Sequence, residues 1–267
     1  MKQTKKIKNF PFVSIIMNCH NGEKYLKKSI KSVINQSYKN WELIFWDNKS
    51  TDNTVNILKD FKDERIKYFS SNKYEKLYKA RNLAIKKSKG NFICFLDVDD
   101  FWNKKFIQNH LNKLNNKECE IVYSKFTVFD ENKNYQFVNE KNSLPSGNIT
   151  QSLLNKYKIG ILAIMLKKKI FDKYKFDKNY QIIGDFDFFI KLSMKHKFYC
   201  INASLSKYRI HSNNFTNKNL KIYIEEYKRW LKKNEYKLKK LKYNLVPLRY
   251  YILKLNLKYF FKKIFYS

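Results

Sequence analysis

Three carboxylates, Asp97, Asp99 and Asp100, close the segment ICFLDVDD directly behind an apolar run that reads as a buried strand. Acids at the C-terminal edge of a central strand stand where open α/β sheets bind ligands. Mg2+ or Mn2+ prefers carboxylate oxygens and can bridge them to a diphosphate, so Asp97-Val98-Asp99 suits a cation that holds a phosphorylated ligand. A plainer role is also open, a loop in which Asp99 or Asp100 caps the next helix. A second acidic pair lies in GDFDFFIKLS. In a helix beginning near Gly184, Asp185 shares a face with Phe189 and Leu192, whereas Asp187 stands four residues before Lys191 and is expected to pair with it in water. Desolvation would raise the pKa of Asp185 toward the range of a general base, and the alternative for this residue is a helix N-cap.

The glycines exclude the common phosphate cradles. They stand at 22, 90, 147, 160 and 184, so neither GxGxxG nor GxxxxGKS/T can be written anywhere in the chain. GxSxG and HExxH are absent too, which removes the commonest hydrolase and zincin readings.

The elements that would carry these acids alternate. FVSIIM, WELIFW, RIKYF and NFICFL read as strands, and the segments between them repeat apolar residues at helical spacing, as in Leu26, Ile30 and Val33. STDNT supplies N-cap chemistry for a second helix, 77–87 is helical, and a further helix places Phe106, Ile107, His110, Leu111 and Leu114 on one face. Strand alternating with helix implies an α/β fold with a mostly parallel sheet flanked by helices. Beyond about residue 120 the pattern is mixed: IVYSKFTVFD and NYQFV suit antiparallel strands, PSG a turn, IGILAIML a buried strand, and FYCIN and SLSKYRI two more. His110 and His196 read as helix residues.

At 267 residues, with 43% hydrophobic and 17% aromatic content, the chain can bury a sizeable core. The net charge of +33 suggests nucleic acid or an anionic membrane, but Lys supplies nearly all of it and Arg occurs only at 65, 81, 209, 229 and 249. Base reading favours Arg, whose planar fork pairs bidentately with guanine, so the charge constrains partners only weakly. Cys19, Cys94, Cys119 and Cys200 form no CxxC pair and are expected to be buried reduced thiols. The leader MKQTKKIKNFPF has no apolar h-region, and no window approaches the ~18 uncharged apolar residues of a spanning helix. A cytoplasmic location is expected.

The segments VSIIMNCHNGEKYLKKSIKSVINQSYKNWELIFWDNKSTDNT, ARNLAIKKSKGNFICFLDVDD, GDFDFFIKLS and YRIH resemble, in order over residues 12–212, the successive motifs of glycosyltransferase family 2. The resemblance implies the GT-A type, Rossmann-like fold, an inverting reaction, a nucleotide-diphosphate sugar donor and a divalent metal, Mn2+ or Mg2+. It implies that Asn18 and His20 line the nucleobase pocket, His20 standing where the family usually shows Tyr. Asp47 would contact uracil, which points to UDP. Arg81 falls where the family places a basic residue near the nucleotide, although a surface helix cation is equally open. Asp97 would reach ribose or metal, Asp99 would ligate the metal, and His211 would add a metal or diphosphate ligand unless its role is structural. Asp185 would be the catalytic base, preceded here by Gly184 where the family often carries Glu.

The resemblance covers an expected domain over 1–217. Residues 218–267 form a basic, aromatic, helical extension interrupted at Pro247, with Tyr223, Tyr227, Trp230 and Leu231 at helical spacing. Such a tail can lie on an anionic membrane, peripheral to its inner face, or pack on the catalytic domain with a solvated lysine face. The expected acceptor is a saccharide or lipid-linked saccharide, as in bacterial surface polysaccharide or lipopolysaccharide synthesis. A nucleic-acid-binding protein is the rival from another class, but it leaves Asp97, Asp99, Asp100 and Asp185 without a purpose, so no nucleic acid is expected. A degenerate homologue that binds a nucleotide sugar without turnover is the other.

Overall fold

A computed structural model of the chain describes residues 11–114 and 119–265. Most of the leader stretch, residues 1–10, and the last two residues of the tail lie outside them. The first half runs β1 (Val13–Cys19), α1 (Glu23–Ile34), β2 (Trp41–Asp47), α2 (Thr54–Lys59), β3 (Ile66–Ser70), α3 (Leu77–Lys87) and β4 (Phe92–Phe95). Next come β5 (Phe101–Trp102), α4 (Phe106–Leu114), β6 (Ile121–Asp130), β7 (Tyr135–Val138), α5 (Thr150–Asn155), β8 (Ile164–Lys167) and α6 (Ile170–Lys173). The chain closes with α7 (Gly184–Ser193), β9 (Phe198–Ile210), α8 (Phe215–Lys218), α9 (Leu220–Lys240) and α10 (Val246–Phe265).

Among the described residues the strands form one sheet in the order β3-β2-β1-β4-β8-β6-β9-β5, with β7 on β6. The pairs β2–β3, β1–β2, β1–β4 and β6–β9 are parallel, and antiparallel pairs enter through β5, β7 and β8. β1 and β2 are buried along their whole length, as strands covered on both faces must be. Alternation along β1 sends Val13, Ile15, Met17 and Cys19 to the layer holding α1 and α4, and Ile16 to the opposite layer holding α3 and α7. Strand order reverses between β1 and β4, and the crevice there opens at the strands' carboxyl ends, which carry Asn18, Asp47 and the 97–100 acids.

Two strand expectations change. IGILAIML is a strand only over Ile164–Lys167, preceded by a 3-10 turn at Ile161–Ala163. There the carbonyl of Leu162 accepts the Trp102 indole N–H at 2.8 Å and that of Ala163 faces His110 Nε2 at 3.3 Å, so side chains take the places of ladder partners. FYCIN and SLSKYRI are one strand, β9, whose parallel register against β6 shifts near Ser124 and Lys125. His110 is a core residue on α4, and burial lowers its pKa to about 4, which keeps the ring neutral. His196 lies just past the end of α7 and pairs with Glu120 at 2.9 Å. Cys19, Cys94 and Cys119 are buried free thiols, and Cys200 is half-buried and free.

The extension packs on the domain through α9. Tyr227 and Trp230 are buried beside Phe186 of α7, so these aromatics anchor the helix to the protein and are not offered to a membrane. Glu226, 4% exposed, accepts the backbone N–H groups of Gln181, Ile182 and Ile183 at 2.7, 2.9 and 3.1 Å. One carboxylate from the tail thus satisfies the donors leading into α7, near the positive end of that helix. Pro247 sits in the first turn of α10, where its missing N–H costs nothing, and the break expected there falls just before it, between α9 and α10.

Glu226→Ala should lower stability by about 3 kcal/mol or more, because it strands buried donors. Glu226→Gln, which keeps an acceptor oxygen, should lose about half as much. Urea unfolding midpoints check this, and an unchanged midpoint for the alanine variant would show that water replaces the carboxylate.

Candidate active site

One cavity of about 750 Å³ opens at the carboxyl ends of β1 and β4. His20, Arg81, Asp97, Asp99, Asp100 and Asp185 line it, together with an apolar wall that includes Phe126, Val128 and Phe137. Six of the residues singled out in the sequence are therefore brought together, and His211 joins them through Asp99. Asn18 and Asp47 are buried at the ends of β1 and β2 and are not among the lining residues.

Each acid of the 97–100 cluster has its own partner. Asp97 accepts from the Arg81 guanidinium at 2.7 Å, and Arg81 is 2% exposed, so it is no surface cation. Burial raises the Asp97 pKa against the opposing charge of Arg81, and Asp99 adds repulsion. Arg81 Nε has no hydrogen-bond partner among the described residues. Asp100 is buried and accepts the backbone N–H of Arg209 at 2.8 Å, and its pKa is pushed well up by burial and by Asp99 and Asp97. Arg209 also donates from Nε to the Asp99 carbonyl at 2.9 Å.

Asp99 Oδ2 lies 3.1 Å from His211 Nε2. The Asn213 N–H faces His211 Nδ1 at 3.2 Å, so in a neutral ring the proton sits on Nε2 and points at Asp99. Among the described residues no cluster of three or more His, Cys, Asp or Glu side chains is set to hold an ion. Two groups do fit an ion shared with a diphosphate, since Mg2+ is held by one or two carboxylates plus phosphate oxygens. Right-angled ligands with bonds of about 2.1 Å stand about 3 Å apart, close to the spacing seen here.

Asp185 lies in the first turn of α7, whose N-cap is Ile183. Its Oδ1 accepts the Phe186 N–H at 2.8 Å and contacts the Tyr78 hydroxyl at 3.2 Å, while Oδ2 accepts from the Tyr157 hydroxyl at 3.4 Å. Burial raises its pKa, and the Phe186 N–H, the Arg81 charge and Tyr78 oppose the shift. The two phenols are themselves held protonated, first by burial and then by the charge of Asp185. Asp187 departs from expectation. It pairs with Lys191 at 2.5 Å but is 1% exposed and accepts the Trp230 indole N–H at 2.9 Å, so it works in the interior and ties α7 to α9.

Gly184 has a spatial reason. A Cβ there would fall 2.4–2.6 Å from three atoms of the Tyr78 ring, so tyrosine on α3 occupies the volume that any side chain at 184 would need. At the rim, His20 is exposed, contacts the Asn48 carbonyl at 3.1 Å through Nδ1, and meets the Tyr74 ring edge-on at 4.8 Å. The Asn18 amide has no partner on either atom among the described residues. Asp47 accepts from the Ser50 N–H at 3.0 Å and the Tyr68 hydroxyl at 3.2 Å. The sequence reading missed Tyr78, Tyr157 and Arg209. Arg209 carried a signal, because alternation along a strand puts it on the same face as His211. Tyr78 also carried one, standing three before Arg81 on a helix. Tyr157 had none, since it reaches Asp185 from a loop.

The model of the family described as glycosyl transferase family 2 matches residues 14–177. The chain is 30% identical over 212 residues to the UDP-Glc:alpha-D-GlcNAc-diphosphoundecaprenol beta-1,3-glucosyltransferase WfgD of Escherichia coli, covering 76% of this chain and 81% of that one. It is 26% identical over 211 residues to the putative teichuronic acid biosynthesis glycosyltransferase TuaG of Bacillus subtilis, covering 77% and 82%. Among solved structures, S. aureus TarS in complex with UDP-GlcNAc superposes with a TM-score of 0.63 at 14% identity, over 82% of this chain and 66% of that one. The mannosyltransferase PcManGT from Pyrobaculum calidifontis, in complex with GDP-Man and Mn2+, gives 0.63 at 12% identity, over 84% and 65%. The chain thus spans just under two thirds of these solved chains, and the likeness to them is one of fold.

Gly184→Ala should cost about 1–3 kcal/mol by overpacking against Tyr78. The cost should largely disappear in a Tyr78→Ala background, as a double-mutant cycle of unfolding free energies would read. Equal costs in both backgrounds would place the clash elsewhere.

Proposed function

The chain belongs to glycosyl transferase family 2 and has the GT-A fold, and from that premise we propose that it transfers a sugar from a UDP-sugar to a hydroxyl of a saccharide or lipid-linked saccharide, with inversion. The observation that carries the residue roles is that a desolvated carboxylate, Asp185, shares one cavity with the Asp97–Arg81 pair and Asp99. UDP is supported by the UDP-sugar in the name of the Escherichia coli relative and by the UDP-GlcNAc complex of TarS. The diphosphoundecaprenol acceptor in that same name and the teichuronic acid assignment of TuaG support an acceptor in bacterial surface polysaccharide synthesis. A lipid-linked acceptor would place the reaction at the cytoplasmic face of a membrane.

The nucleobase would sit between the strand ends, against Asn18 and His20, with the Asn18 amide free to pair with it. Asp47 would accept from the base in exchange for its present Tyr68 partner. Arg81 holds Asp97 in place for the ribose or the metal. Asp99 and His211 would hold Mn2+ or Mg2+, which when bound supplies positive charge to the leaving diphosphate. To hold it, His211 would have to present Nε2 without its proton. Asp185 accepts the proton of the acceptor hydroxyl as its oxygen bonds to the anomeric carbon, while the bond from that carbon to the diphosphate oxygen breaks and its electron pair departs with UDP. Attack from the face opposite the leaving group inverts the centre. Tyr157 donates to the second oxygen of Asp185 and so aims the first.

Asp185→Asn should reduce transfer by about a thousand-fold and leave UDP binding unchanged. Asp99→Ala should abolish the Mn2+-dependent part of UDP binding in calorimetry. No metal-dependent binding by the parent protein would overturn the reading, and binding without any transfer would leave a nucleotide-sugar-binding homologue.

Because burial raises the Asp185 pKa and only its ionised form can take a proton, kcat/KM should fall as pH drops through a value above the ordinary carboxylate range. Tyr157→Phe removes a donor to the ionised form, so the acid limb should move to higher pH. A uniform loss at all pH values would assign Tyr157 a packing role only.

A further inference from the structure

Helix α10 is apolar on two opposite sides. Leu248, Ile252 and Leu255 are buried where the helix packs on α9 and α5. The turn before it is pinned to α5 by reciprocal hydrogen bonds between Gln151 and Asn244 at 3.0 and 2.8 Å. On the far side Val246, Tyr250, Leu253, Leu257, Phe260 and Ile264 recur at alternating spacings of four and three, and each is about half exposed, from 49% at Leu257 to 67% at Val246. Those spacings hold them within an arc of roughly 80°. Lys254 and Lys258 lie along one edge of the stripe, Lys263 and Arg249, the latter paired with Glu235 of α9, along the other, and residues 246–265 contain no acid. Monomeric soluble proteins rarely leave so continuous an apolar face bare.

We propose that this outer face of α10 docks the protein on an anionic lipid bilayer, with the helix lying in the plane of the interface. Aromatic and aliphatic side chains would enter the headgroup boundary, and the flanking cations would meet lipid phosphates. A second copy is the poorer occupant, since pairing two such faces would bring lysine edges together with no carboxylate in the helix to offset them. Spanning is not available: among the described residues no helix is long and apolar enough to cross a membrane.

The test is flotation of the purified full chain with vesicles of phosphatidylcholine alone and of phosphatidylcholine mixed with phosphatidylglycerol. Binding is expected on the mixed vesicles. The double variant Leu257→Ser with Phe260→Ser should bind them at least about ten-fold more weakly at any salt concentration, and Lys254→Gln with Lys258→Gln should weaken binding most at low salt. All four side chains are exposed or at the surface, so thermal unfolding and UDP binding should be unchanged, which keeps this result separate from the active-site reading. Absence of binding to mixed vesicles, binding untouched by the apolar variant, or a lipid-free dimer that this variant dissociates would each overturn the proposal.

Discussion

The site depends on a single constraint: carboxylates placed in an apolar crevice must be given positive charge or donors, or they will protonate. Five acids obey it in five ways. Asp97 takes a buried guanidinium, Asp99 an imidazole, Asp100 a backbone N–H, Asp185 a backbone N–H and the Tyr157 phenol, and Glu226 a run of three amides. The compensation is incomplete at Asp97, Asp100 and Asp185, whose pKa values all remain above normal. An incompletely compensated set of negative charges is a site with affinity for a cation or a proton, and both are what the proposed sugar transfer would use.

That constraint also explains how remote parts of the chain serve the crevice. Helix α7 carries Asp185 at its start, and it is held from behind by α9 through Glu226 and through Asp187 with Trp230. The extension that looks like an appendage in the sequence is therefore a support for the candidate base. Tyr78 works from the other side. Its ring fills the space above Gly184, its hydroxyl donates to the Ile182 carbonyl at 2.6 Å, and the same oxygen reaches Asp185. The glycine before Asp185 is thus matched by a large neighbour whose hydroxyl occupies part of the polar environment.

The abundant lysines take little part in this arrangement. The basic groups paired with the site's acids are Arg81, Arg209 and His211, all buried, while Lys76 lines the cavity wall and other lysines lie on helix surfaces and along the edges of α10. Burial separates the roles: guanidinium and imidazole can be desolvated against carboxylates with good geometry, whereas a flexible ammonium loses more hydration and more rotamer freedom. Net charge is then a property of the surface and bears on what the surface meets.

Much was legible without coordinates. Periodicity placed the strands and helices of the first half, since a strand buried on both faces and an amphipathic helix each impose a local pattern. The acids after β4 and Asp185 could be named from their neighbours and Arg81 from the family resemblance, and the tertiary structure sets them around one cavity. What the sequence could not decide depended on contacts between distant segments. Asp185 and Asp187 look alike two residues apart, and only the position of Trp230 determines that Asp187 is tied into the interior while Asp185 opens to the cavity. Arg81 as a surface cation or a buried partner, the merging of two apparent strands into β9, and the inward turn of the α9 aromatics were likewise open. Local pattern follows from backbone geometry and side-chain polarity, which the chain carries at each position. The environment of a charge is set by whatever packs against it, and here the partners range from Arg81, 16 positions from Asp97, to His211, 112 positions from Asp99.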